Sequence, residues 1–281
     1  MTTLITGGTG KTGGKLAQLL HDAKHDVLIA TRSGVAPAPF KAVKFDWFDE
    51  RTFENPFELD ANIDKLYLVL PSVIDVLPVV KPFIDLALSK GVKRVVFLSA
   101  SAVEKGGPAQ GKVWEYLVDV GVDYAVLRPT WFIENFGTAF LPSILGHGKI
   151  FTPAKDGRIP FIGVDDISKA AFDALVAKES PNTDYYILGP KLYTHDEVAA
   201  ILSEVVGRKI THERVTEEQS IAGFIALGIP EDYAKVLSGL LVEVANGFSE
   251  EAILTSPKAI IGKVDLRGYF EANKKIWALK E

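Results

Sequence analysis

The chain contains no cysteine, which excludes disulfides, thiolate nucleophiles and cysteine-held zinc. It also lacks any lysine or arginine cluster longer than a pair, and 31 basic against 36 acidic residues leave a formal net charge of −5. A protein that reads a nucleic-acid backbone carries a basic stripe, so no nucleic-acid partner is expected. No apolar run reaches the roughly 18 residues of a membrane span, and no basic segment followed by a long apolar one opens the chain. The expectation is a soluble, cytoplasmic protein with no membrane partner. There is no internal repeat and no low-complexity linker. What is present is ordinary for a globular protein: 47% hydrophobic and 24% charged residues over 281 positions, enough for one large domain or a domain with a lobe attached.

The first 130 residues alternate apolar runs with amphipathic stretches. TTLIT, DVLIATR, AVKFDW, KLYLVLP, RVVFLSAS and YAVLRP read as six strands, mostly hydrophobic throughout, as strands buried on both faces are. Between them Leu16, Leu19, Leu20 and Ala23, and then Val76, Val79, Val80, Phe83, Ile84, Ala87 and Leu88, recur at helical spacing. Lys90-Gly91 and Val120-Gly121 read as helix ends. The fold class expected is α/β, a doubly wound parallel sheet of the dinucleotide-binding Rossmann type. After Pro129 the rhythm changes. WFIENFGTAFLPSILG is punctuated by Gly137 and Pro142, DDISKAAFDALVAK reads as a helix that Asp166 would cap, and THDEVAAILSEVVG begins with a capping box, Thr194 and Glu197. A terminal helix, LRGYFEANKKIWAL, is expected. The division predicted is a core over 1–130 and a smaller α/β lobe over 131–281, packed as one structural unit.

The stretch LITGGTGKTGGKL, residues 4–16, allows two readings. A phosphate loop of the nucleotide-hydrolase kind needs Gly-x4-Gly-Lys-Thr; Gly10, Lys11 and Thr12 supply its second half, but Ile5 stands where the first glycine belongs. Gly7, Gly10 and Gly13 fit the dinucleotide turn instead. There the first glycine turns the chain, the second lets the backbone approach a pyrophosphate, and the third lets the helix pack closely on the sheet. The second strand ends in Thr31, Arg32 and Ser33, with no acidic residue to accept from a ribose 2′-hydroxyl. A guanidinium binds a 2′-phosphate that a carboxylate would repel, so NADPH is the expected cofactor, with Lys11 able to assist and Thr9 and Thr12 in the same loop. The plainer alternative for Arg32 is a solvated loop residue.

TGGTGKT, KFDWFDERTF, LSASAVEKGGPAQGK, LRPTWFIENF, GRIPFIGVDDIS, LGPKLYTHDEVA and VVGRKITH, in that order along most of the chain, resemble the NmrA-like atypical short-chain dehydrogenases. Within them the likeness is nearest to the ergot-alkaloid reductases. The resemblance implies that Asp46 and Trp47 lie beside the adenine and that Leu70 and Pro71 border the cofactor. It puts Ser99 near the nicotinamide with Pro129, and has Ser101, Trp131, Phe132 and Asn135 contact substrate. Trp47 and Phe132 read equally well as core aromatics.

Typical members of the superfamily protonate their substrate with Tyr-x-x-x-Lys. Here Tyr116 is followed four places on by Val120, and no catalytic residue is assigned beyond the candidates Ser99, Ser101 and Lys112. An iminium ion needs no such donor, because hydride transfer neutralises the charge it already carries. The resemblance, with which the missing donor agrees, therefore implies an NADPH-dependent oxidoreductase acting on an aromatic, indole-alkaloid-like small molecule with a C=N (iminium) group. A quinone or enone reductase, or a nucleotide-sensing regulator without catalysis, stays open beside it. His21, His25, His147, His195 and His212 lack metal-ligand spacing, so they read as solvated or structural and no metal is expected. The oligomeric state is not legible.

Overall fold

The computed structural model describes residues 1–247 and 250–279. The chain forms two compact units, one of residues 1–129 with 167–185, the other of 130–166 with 186–281.

The first unit opens with β1 (Thr2–Thr6), α1 (Lys11–Asp22), β2 (Asp26–Thr31) and β3 (Lys41–Lys44). It continues through α2 (Asn55–Leu59), β4 (Ile63–Leu68), α3 (Leu77–Ser89), β5 (Arg94–Leu98), α4 (Gln110–Asp119) and β6 (Asp123–Pro129). The six expected strands all form. β1 pairs in parallel with β2 on one side and β4 on the other; β3 extends beyond β2, and β5 and β6 beyond β4. The chain therefore winds outward from β1, returns to β4 and winds the other way. In such a sheet the ligand crevice lies beyond the carboxyl ends of the two strands at the reversal, β1 and β4. Burial follows the expected helical spacing: Leu16, Ala17 and Leu20 of α1 and Val80, Phe83, Ile84 and Ala87 of α3 are buried, whereas Ala23 lies past the end of α1 and is exposed. Gly91 and Gly121 follow their helices with φ of +104° and +69°.

The second unit contains α5 (Leu141–His147), β7 (Lys149–Thr152), the first residues of α6 (Val164–Val176) and the end of β8 (Thr183–Leu188). It continues with α7 (His195–Val206), β9 (Thr211–Arg214), α8 (Glu217–Ala226), α9 (Glu231–Ala245), α10 (Glu250–Leu254), β10 (Ala259–Ile261) and α11 (Leu266–Ala272). β8 adds to the sheet beside β6, and β10 pairs in parallel with residues 186–188 of β8; β7 and β9 form a separate parallel pair. Residues 167–185, which the sequence reading placed in a lobe over 131–281, thus return to the first unit. The carbonyl end of α6 is held within the first unit. Arg94, on β5, donates to the carbonyls of Ala174, Leu175 and Ala177 at 3.2, 3.4 and 2.6 Å.

Two local expectations change. Asp166 does not cap its own helix. Its carboxylate accepts from the main-chain N–H groups of Lys263 and Val264 (3.0 and 2.9 Å), while Glu134 Oε1 accepts from Val164 N–H at the helix start. The terminal helix breaks at Asn273, whose side-chain amide takes the Tyr269 carbonyl (2.8 Å) and so competes with the helix ladder. A 3₁₀ turn over Lys274–Trp277 follows and ends with the Trp277 indole N–H donating to the Phe136 carbonyl (2.9 Å). The capping box at Thr194 and Glu197 forms as expected.

The core of the second unit is aromatic, with Phe136, Phe140 and Phe161 enclosing the ring of His195 at 6.2, 6.2 and 5.5 Å. Burial, with the nearby His212, pushes the His195 pKa down to about 3. The folded chain keeps this imidazole neutral while the unfolded chain protonates it below about pH 6.5, so protons favour the unfolded state through that window. Stability is therefore complete above pH 6.5 and falls on acidification toward 3, by at most about 1.4 kcal/mol per pH unit from this group. Replacing His195 by Phe should flatten the melting-temperature profile between about pH 6.5 and 4.5, read by scanning calorimetry. Parallel profiles for the two proteins would refute this role for the imidazole.

Candidate functional site

The turn after β1 is built from main chain packed too closely for side chains. Gly7 has φ +63°, and its carbonyl accepts from the N–H of Gly10 at 2.8 Å. A β-carbon on Gly13 would stand 2.6 Å from the Gly7 oxygen and 2.7 Å from the Gly8 Cα; one on Gly8 would stand 2.5 Å from Ile29 of β2. Gly10 caps α1 with no side chain, so no side-chain acceptor closes the helix. Gly7, Thr9, Gly10 and Lys11 are exposed, while Thr12 and Gly13 are buried beneath them. An open helix amino end behind a glycine turn suits a phosphate group, because unpaired amides and the helix dipole both favour negative charge.

At the end of β2 the Thr31 hydroxyl is spent on the turn itself, 3.4 Å from Ser33 Oγ and 3.3 Å from the Val35 carbonyl. Arg32 between them is exposed and makes no hydrogen bond or ion pair among the described residues. Asp46 and Trp47 follow β3 in a turn. The Asp46 carboxylate accepts from the Phe48 N–H (3.0 Å), and the Trp47 ring packs edge-on against Phe45 and Phe83 at 4.8 and 5.4 Å. Leu70 and Pro71, half-buried, continue from β4. Turn and strand ends thus bring Gly7 through Gly13, Arg32, Asp46, Leu70 and Pro71 to the carboxyl edge of this unit's sheet. A groove of about 550 Å³, lined by His21, His25, Phe40, Lys41 and Asp60 among others, lies at the amino edge of the same strands. Dinucleotides bind the opposite edge of such sheets, and this groove holds none of the residues named above.

Ser99, next after β5, is buried, and its hydroxyl donates to Gln110 Oε1 at 3.1 Å. The Ser101 N–H donates to the Pro129 carbonyl (2.9 Å), and its own carbonyl accepts from Arg128 (2.9 Å). Lys112 is exposed on α4. Tyr116 is occupied at the outer surface, where its hydroxyl donates to Asp85 and Lys81 Nζ lies 4.7 Å from its ring centre. Neither forms a donor pair with the other.

In the second unit, Trp131, Phe132 and Asn135 are half-buried. The backbone here is fixed by bonds to main-chain carbonyls: Ile162 N–H to Trp131 O (3.0 Å), Ile133 N–H to Ile162 O (2.9 Å), and the Thr130 hydroxyl to Pro160 O (2.6 Å). Tyr269, which the sequence reading passed over, sits near the Glu134 and Asp165 carboxylates; burial first, then those charges, push its hydroxyl up to about 12. Its only sequence signal was a tyrosine in an amphipathic terminal segment. Gln110 and Arg128 lie within stretches that carry the resemblance but were assigned no role, because their contacts to Ser99 and Asp184 are made only in the folded chain. Among the described residues no cluster of His, Cys, Asp or Glu could hold a metal ion, and no helix is long and apolar enough to cross a membrane.

The glycine geometry gives a paired test. Gly13→Ala should abolish nucleotide binding measured by calorimetric titration, because its β-carbon meets backbone that cannot yield. Gly14→Ala, whose β-carbon would stand at an ordinary 3.7 Å from the Gly8 carbonyl, should bind normally and gain up to about 1 kcal/mol from helix propensity. Equal behaviour of the two variants would refute the close-packed turn.

Residues 1–253 match the model of the NmrA-like family. The chain is 42% identical over 290 aligned positions to agroclavine dehydrogenase of Claviceps fusiformis, with both chains covered in full. It is 40% identical to festuclavine synthase II of Penicillium roqueforti, covering 99% of this chain and 100% of that one. Among solved structures it is similar to the NADPH-dependent quinone oxidoreductase of Escherichia coli in complex with NADPH, with a TM-score of 0.74 at 22% identity over 97% of this chain and 99% of that one. It is similar also to the triphenylmethane reductase of Citrobacter complexed with NADP(H), with a TM-score of 0.70 at 21% identity over 100% and 97%. At those identities the structural likenesses speak for the fold. With the family model matched over most of its length, and relatives at about 40% identity from end to end, the chain belongs to the NmrA-like family.

Proposed function

We propose that the protein is an NADPH-dependent reductase that delivers hydride to a cyclic iminium or imine intermediate of indole-alkaloid, ergot-type chemistry. One observation carries the cofactor assignment. At the end of β2, beside a glycine turn no side chain could occupy, stands an exposed arginine with no protein partner among the described residues. Gly7, Thr9, Gly10, Lys11, Thr12 and Gly13 would hold the pyrophosphate, and Arg32 the 2′-phosphate, with Lys11 assisting. Asp46 and Trp47 would flank the adenine, and Leu70, Pro71, Ser99 and Pro129 would border the rest. The solved relatives named for NADPH and NADP(H) complexes support the same choice of nucleotide.

The dinucleotide supplies the hydride; the chain's residues bind, orient and exclude water. When hydride adds to an iminium carbon, the C=N π pair becomes the nitrogen lone pair and the substrate's positive charge is cancelled. No proton has to be delivered, which agrees with Lys112 and Tyr116 forming no donor pair. Trp131 and Phe132 offer aromatic faces to a flat cation. Glu134 and Asp165, whose charges help keep Tyr269 protonated, place negative charge in the second unit, the sign that suits a cation. The full-length relatives named agroclavine dehydrogenase and festuclavine synthase support the substrate class.

NADPH oxidation should be sustained with tricyclic or tetracyclic indole iminium compounds. Turnover of quinones alone, or nucleotide binding with no turnover of either class, would overturn the reading. Arg32→Asp should weaken NADPH by roughly 30-fold, the equivalent of about 2 kcal/mol for a charge-assisted contact, and leave NADH within about twofold. Equal losses for both nucleotides, measured by titration, would remove the 2′-phosphate role.

A further inference from the structure

A side chain that nothing above uses is held at the carboxyl edge of β5 with unusual firmness. Gln110 is the first residue of α4, and its Oε1 accepts the proton of the buried Ser99 hydroxyl at 3.1 Å. Its amide nitrogen has no protein partner among the described residues, and the side chain is half-buried. The residue before it, Ala109, has φ +53° and ψ −114°, a conformation that a β-carbon disfavours by about 1–3 kcal/mol. Strain of that kind persists only where the surroundings enforce it.

Here they do. Gly106 N–H donates to Gly111 O (2.9 Å) and Gly107 N–H to Glu104 O (3.0 Å), closing the loop on itself. A β-carbon on Gly111 would stand 2.3 Å from the Glu104 carbonyl. Arg128, 2% exposed, anchors the other end of the loop: it donates to the Ser101 carbonyl (2.9 Å) and to the Glu104 carboxylate. It is itself paired with Asp184 (2.9 Å) and lies 5.3 Å from the Trp114 ring centre. The result is a carboxamide with one end locked by Ser99 and the other offering N–H donors.

We propose that Gln110 is a binding residue for the nicotinamide end of the cofactor, its amide N–H donating to the carboxamide oxygen of that ring. Ser99 is its positioning residue. The Ser99 proton is committed to Gln110, so Ser99 orients the amide and does not protonate substrate. The inference rests on the dinucleotide reading and adds the group that fixes the reactive ring, as distinct from the phosphates.

The test compares NADPH with adenosine 2′,5′-bisphosphate, which has the adenine, ribose and 2′-phosphate but no nicotinamide. Gln110→Glu keeps the side-chain length and an acceptor for Ser99 while removing the N–H donors; Gln110→Leu removes them without adding charge. Both variants should bind NADPH about tenfold more weakly, a change of about 1.4 kcal/mol, with the bisphosphate unchanged. Ser99→Ala should weaken NADPH selectively by about threefold, through loss of orientation. Equal weakening of both ligands would make Gln110 a structural loop residue and overturn the proposal, as would unchanged binding of both. If the unmodified protein binds neither ligand, the dinucleotide reading fails as well, and so the two failures are told apart.

Discussion

In the first βα turn, main chain meets main chain where a β-carbon on Gly13 would come within 2.6 Å of the Gly7 oxygen. Because that contact is possible, α1 can lie down on β1 and β2 with its amino end open, and the rest of the unit is arranged around it. Ser168 of α6 donates to the Thr12 carbonyl at 3.1 Å, so a helix from the middle of the chain is pinned to the glycine helix. The other end of α6 is held by the buried Arg94 guanidinium, whose three carbonyl acceptors are the terminal groups a helix leaves unpaired. α6 is thus tied to α1 through Ser168 and to β5 through Arg94.

A second constraint operates through buried charge. Arg128 and Asp184 are both almost wholly buried and pair at 2.9 Å. Removing Asp184 would leave the buried guanidinium with only the exposed Glu104 as counter-charge, whereas together the two buried groups are tolerated. The pair's value lies in direction: Arg128 reaches on to Ser101 and Glu104 and so holds the loop between β5 and α4 in a shape that includes the strained Ala109. The second unit uses the opposite means. Its core is packed from aromatic rings and a neutral histidine, and the Trp277 indole closes it by donating to a carbonyl 141 positions earlier in the chain. Acid weakens the second kind of core through its imidazole.

The chemistry proposed asks little of the protein in proton transfer and much in orientation. Hydride transfer to a cation depends on distance and on the exclusion of water more than on an acid, and most of what the chain invests near β5 and β1 is geometric. On that proposal, rigid glycine packing would hold phosphate, the exposed guanidinium of Arg32 would select the nucleotide, and a strained residue would present an amide.

The expected strands, the turn of Gly7, Gly10 and Gly13, the helix ends at Gly91 and Gly121 and the capping box at Thr194 were all legible in the residues. Each depends on chemistry local to a few positions: the period of apolar residues, a positive φ, a hydroxyl next to an amide. The exposed place of Arg32 at the end of β2 was also legible, since it follows from the strand's end; the 2′-phosphate role given to it is part of the proposal. Other features were decided only by the tertiary structure. Asp166 looked like a cap and instead holds main chain 97 positions away; Arg128 meets Asp184 across 56 positions. Residues 167–185 return to the first unit, and Gln110 becomes significant only once Ser99 is seen to lock it. Apolar periodicity and backbone preference are written every few residues. The partner of a buried charge or a fixed amide is set by which strands become neighbours, and that is settled when the sheet assembles.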